Sequence, residues 1–158
     1  MRRLIVTLIL LLLSTPAFSQ IVGKPIIANG TCDAKSGVTV DDGENSKFGC
    51  DVVVITRTER GTVLIQFSDK SGDDGRILGF AGTIEGKQGF GADAVQMLGV
   101  ERLYLAGGAT PVPVSRGSCI MNWTGLERTG GRLTSILCAA RAQADGSDIK
   151  ALAVLQTK

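Results

Sequence analysis

Four cysteines and no histidine bound the chemistry open to this chain. Without an imidazole there is no Ser-His-Asp or Cys-His catalytic set, and no histidine base poised near neutral pH, so the commonest hydrolase mechanisms are excluded. Cys32, Cys50, Cys119 and Cys138 include no C-x-x-C pair, and a tetrahedral zinc site would have to rest on cysteines or carboxylates alone. In a chain bound for an oxidising compartment, such an even set reads as two disulfides.

The carboxylates offer the remaining route to catalysis. A histidine-free hydrolase would need two converging acids. Glu85, Asp93 and Glu101 lie near one irregular stretch, but their spacing selects no pair and they read as solvated. Gly82-Thr83-Ile84-Glu85-Gly86-Lys87-Gln88 approaches a phosphate loop. It has one residue too few between its glycines, and Gln88 replaces the magnesium-binding hydroxyl. Asp69, Ser71 and Asp73 have the spacing of a calcium loop, but Asp74 stands at the turn glycine and Phe80 at the bidentate glutamate. No catalytic residue, cofactor site or metal site is therefore assigned. For contact residues, Phe90 stands out because Gly89 and Gly91 leave it little local shelter. Lys87 beside it and Arg116 in the next irregular stretch complete the candidate set, on the segments Lys87 to Gly91 and Gly107 to Arg116.

These residues must be held by strands. From Gly49 onward, short runs rich in valine and isoleucine alternate with glycine and aspartate clusters, as in an antiparallel all-β domain. Asp51 to Thr58, Thr62 to Asp69 and Arg76 to Glu85 form the first three strands. Ala92, Val95 and Leu98 recur at helical spacing, so Gly86 to Gly99 has room for one short helix. Pro111 and Pro113 predict a loop or edge segment over Gly107 to Arg116. Cys119, Met121 and Trp123 share one face of the following strand and should point inward. Gly130-Gly131 marks a reversal, and Leu133 to Ala144 runs back. A hairpin centred near Arg128-Thr129 sets Cys119 opposite Cys138, which makes that pair the preferred disulfide and leaves Cys32 with Cys50. Asp145-Gly146-Ser147-Asp148 is a final turn before the closing strand Ile149 to Gln156. About eight antiparallel strands result, enough for a β-sandwich or a small β-barrel.

The segment FAGTIEGKQGFGADAVQMLGVERLYLAGGATPVPVSRGSC, Phe80 to Cys119, resembles a group of uncharacterised exported proteins of Gram-negative bacteria. The resemblance implies a periplasmic or secreted setting and no particular activity.

The N-terminus points to the same setting. Met1-Arg2-Arg3 is basic, Leu4 to Leu13 is an apolar run, and Ala17-Phe18-Ser19 precedes Gln20, as in a signal peptide cleaved between Ser19 and Gln20. Ser14, Thr15 and Pro16 interrupt the run too early for a membrane span. The expected organisation is a signal peptide over 1–19 and one disulfide-stabilised β domain over 20–158. Arg2 and Arg3 are two of seventeen basic residues, so cleavage leaves fifteen against fifteen acidic ones. A net charge of zero, with the cations spread singly along the chain, predicts no nucleic-acid partner and no footprint for an anionic membrane. No stable membrane insertion of the processed chain is expected either. The sequence thus reads as a non-catalytic exported domain that binds a protein or cell-envelope component through its loops, with a carboxylate-pair hydrolase as the alternative.

Overall fold

A computed structural model describes residues 23–69, 76–90, 93–105, 110–125 and 131–158, with Phe90 described in its backbone alone. The expected signal peptide, the turn over Lys70 to Gly75 and the hairpin centre near Arg128-Thr129 lie outside these residues.

Every regular element among the described residues is a strand. In order they are β1 (Ile26–Cys32), β2 (Gly37–Val40), β3 (Ser46–Lys47), β4 (Val52–Arg57), β5 (Val63–Ser68), β6 (Ile77–Phe90), β7 (Asp93–Tyr104), β8 (Val112–Thr124), β9 (Arg132–Ala144) and β10 (Ser147–Thr157). Strands β4 to β10 form an antiparallel meander. β1 closes it by pairing with β4 through Ile26 to Asn29 and with β10 through Gly30 to Cys32. The ring therefore has eight strands, and β2 with β3 extends the free edge of β10 beside β1.

Alternation explains the closure. β5 buries Val63, Ile65 and Phe67 and half-exposes the residues between them, and β10 does the same with Ile149, Ala151, Ala153 and Leu155. Period-two patterning gives each strand one inward face, and closing the sheet leaves those faces nowhere to go but a shared interior. Phe67 and Phe80 meet edge to face there, 5.9 Å apart. The β9–β10 reversal is a two-residue turn with φ of 51° at Asp145 and 85° at Gly146, the left-handed pair whose twist matches a hairpin.

The helix expected within Gly86 to Gly99 does not form. β6 and β7 run through the stretch as one long hairpin. Leu98 faces inward opposite Cys119, whereas Val95 lies opposite Asn122 on the other face, so the two side chains that fit helical spacing are divided by the pleat. Both sides of β7 find strand partners, and ladder pairing outweighs a helix that the flanking glycines weaken. Arg116 likewise sits within β8 rather than on a loop, and Lys87 within β6. Pro113 is accommodated because the β7–β8 ladder slips between Gly99 and Arg102, beside it.

Cys119 faces Cys138 across β8 and β9 and is bridged to it. A second bridge joins Cys32, at the end of β1, to Cys50, just before β4. Such bonds persist in oxidising compartments.

Candidate functional site

Successive hairpins of a meander alternate between the two ends of the ring. The ends of β4, β6 and β8 and the starts of β1, β5, β7 and β9 gather at one end; the ends of β5, β7 and β9 and the starts of β6, β8 and β10 gather at the other. Phe67, Phe80, Leu78 and Leu103 fill the interior away from the first end. Among the described residues, the first end forms a mouth holding a cavity of about 320 Å³.

Six strands build its wall. Ile26 of β1, Ile55 of β4, Val63 of β5, Ile84 of β6 and Met121 of β8 supply apolar surface, and Trp123 lies beside Met121's face at the end of β8. Thr56, Gln96, Lys24 and Arg57 add the polar part. The cavity is thus an apolar pit with two cations, the arrangement that holds a small amphipathic molecule by its body and orients it by its polar end. Trp123 is 7 % exposed, and its Nε1 is buried with no acceptor among the described residues. An indole N–H is a donor only, and leaving it unpaired when buried costs about 1–3 kcal/mol.

The structure separates the contact residues expected from sequence. Lys87 lies opposite Gln96, which lies opposite Met121, so Lys87 belongs by register to the mouth-facing side of β6. Phe90 ends the same strand, and its side chain lies outside the described residues. Arg116 sits toward the opposite end of β8, on the outer surface opposite Arg141. Tyr104 packs across Gly79 at the end of β7.

Of the three carboxylates, Glu85 and Glu101 both reach the Thr83–Gly99 pair of the β6–β7 ladder, and Asp93 stands apart from them. Asp93 and Glu101 stand at opposite ends of β7. Asp93 accepts a hydrogen bond from the Thr124 hydroxyl at 2.5 Å, Glu101 accepts one from Thr83 at 3.3 Å, and Glu85 lies over Gly99. Asp42 has its pKa lowered by the hydrogen bond and charge of Lys150. It lies on the surface, away from the mouth.

The chain matches no known family. Neither family models, curated proteins nor solved structures give a match.

Sequence reasoning singled out Trp123 as a core residue and missed its part in the mouth. Arg57, Ile55 and Val63 were legible only as strand residues, because their convergence with Trp123 depends on closure of the ring.

Proposed function

We propose that this protein is an exported, non-catalytic β-barrel that binds a component of the cell envelope at its open mouth. The ligand class that fits is a small amphipathic anion. Its apolar body lies against Met121, Ile55, Val63 and Ile84, and its acceptor meets Trp123 Nε1 with Arg57 and Lys24 nearby. The observation that carries this reading is the apolar cavity lined by Trp123 and Met121 beside Arg57 and Lys24, with the buried indole N–H of Trp123 lacking an acceptor among the described residues. A ligand acceptor repays that donor's lost hydration, and a carboxylate or phosphate does so most strongly.

The N-terminal residues and the two disulfides support this setting. Export would remove residues 1–19 before the barrel closes. N-terminal sequencing of the exported protein tests this directly: a start at Gln20 is expected.

Binding is tested with decanoate as the anionic probe and decanol as its uncharged counterpart. The chain has a single tryptophan, so intrinsic fluorescence reports on the mouth alone. Decanoate should bind saturably and at least tenfold more tightly than decanol, and Arg57→Gln should abolish the difference. Equal affinity for the two, unaffected by Arg57→Gln, would remove the anion from the proposal; no saturable change with either would remove the ligand.

A further inference from the structure

The outer surface of β8, β9 and β10 carries a feature that the linear charge pattern conceals. Arg116 stands directly opposite Arg141, and Arg141 directly opposite Lys150, so three cations form one row across three strands. A shallow groove of about 580 Å³ runs beside them over Ser118 and Ala139. Lys150 is neutralised by Asp42, with Asp148 at 3.8 Å. Arg116 and Arg141 have no ion-pair partner among the described residues. Like charges directly opposite in a ladder are destabilising, and the carboxylate whose charge Arg141 feels, Asp42, is bound to Lys150 instead.

Four residues along the same strands lies a second row on the same face. Met97, Ile120, Leu137 and Val154 are consecutive partners across β7 to β10. Met97, Ile120 and Leu137 are 44 %, 37 % and 40 % exposed, three of the seven large hydrophobic side chains in the described chain that reach solvent to this degree. The small side chains of Ser118 and Ala139 separate the rows. The rows are roughly 13 Å apart along the strands, a distance that long arginine stems shorten by reaching along the surface.

We propose that this face docks the barrel on an anionic lipid bilayer. Headgroup phosphate lies between Arg116 and Arg141, and Ile120, Leu137 and Met97 enter the boundary of the acyl region. Charge complementarity selects this occupant: two unpaired guanidinium groups suit a phosphate, and an aliphatic row beside them suits the layer beneath it. Attachment is peripheral and reversible, and it is independent of any ligand at the mouth. It departs from the expectation drawn from net charge, because the ladder register assembles cations that the sequence spreads over thirty-odd positions.

Co-flotation of the exported protein with vesicles tests this. Phosphatidylcholine vesicles are compared with vesicles that also contain phosphatidic acid. The parent should float with the anionic vesicles alone and detach as salt rises. Arg116→Gln with Arg141→Gln should weaken partitioning roughly 30-fold, since each cation near an anionic surface contributes about fivefold. Ile120→Ser with Leu137→Ser should weaken it as well, while Arg116→Lys with Arg141→Lys retains most of it. All four positions are on the outer surface, so unchanged circular dichroism spectra and melting are expected and guard against misfolding. Equal flotation with both vesicle types, no flotation at all, or parent-like binding by the glutamine variant would overturn the proposal. Capture by immobilised polyglutamate that depends on Arg116 and Arg141, with vesicles ignored, would reassign the face to an acidic protein and overturn it too.

Discussion

Trp123 stands directly opposite Ala94 across the β7–β8 ladder. The largest side chain of the barrel is thereby paired with one of the smallest, and its ring is buried at the mouth while its N–H finds no acceptor among the described residues. Packing and polarity therefore pull in opposite directions at one residue. Trp123→Ala should destabilise the fold by about 3–5 kcal/mol. Trp123→Phe should stay within about 1 kcal/mol of the parent, because the lost ring volume is offset by removal of an orphaned donor. The same variant should bind decanoate about fivefold more weakly. Urea melts and isothermal titration separate the two effects; a Phe variant that is stable and binds like the parent would remove the N–H from recognition.

The Cys119–Cys138 bridge ties neighbouring strands whose loop spans 19 residues in sequence. Loop-closure entropy assigns such a bond about 3 kcal/mol. Replacing both cysteines with alanine should lower the urea midpoint accordingly, leaving the transition cooperative. Both positions are wholly buried, so serine at either would add an unpaired hydroxyl and cost more than alanine.

That bridge also marks where the chain was legible from its sequence. Cys119, Met121 and Trp123 alternate cleanly with Ser118, Asn122 and Thr124, and an Asp-Gly turn delimits the last hairpin, so inward face and register follow from period two. The N-terminal strands were not legible: Ile26–Cys32 buries only Gly30 fully and exposes Ile26 and Ile27, so no alternation announces it. The 86–99 stretch misled because a three-residue spacing fits helix as well as chance, and only the neighbouring ladders decide. The mouth was hidden for a further reason. Its wall comes from six strands, spread from β1 to β8 and brought together by closure of the ring. The Arg116–Arg141 pairing depends on the bulge between Val114 and Arg116, which no local residue pattern encodes.

Gly82 and Gly99 mark the closest approach of β6 to β7, where the register slips. A methyl group on Gly82 would run into the carbonyl oxygen of Gly99, a backbone atom that cannot step aside, whereas one on Gly99 would meet only the Glu85 side chain. Gly82→Ala should therefore cost about 2–3 kcal/mol and Gly99→Ala under about 1 kcal/mol. Comparable losses at the two positions in denaturant melts would contradict this account of the crossing.

Asp42 provides a pH signature. Lys150 lowers its pKa below the ordinary 3.8 through a hydrogen bond and its charge. A carboxyl with a depressed folded-state pKa contributes stability above its unfolded value, and loses it as pH falls through the folded value. The contribution should thus persist at pH 4 and fade below the ordinary range. Because the pair is exposed, added salt should remove it as well. Asp42→Asn should flatten that part of the acid-stability curve, lowering stability slightly near neutral pH and leaving it unchanged at the acid end.

The account turns on the Trp123 N–H meeting a ligand acceptor at the barrel mouth. Uniform ¹⁵N labelling gives one indole N–H resonance, since the chain has one tryptophan. Titration with decanoate should move that resonance downfield and slow its exchange with solvent, with shifts beside it for Met121 and Val63 and none for Arg141. An indole resonance that stays in place while decanoate saturates, or shifts confined to the outer face, would contradict the mouth as the binding site.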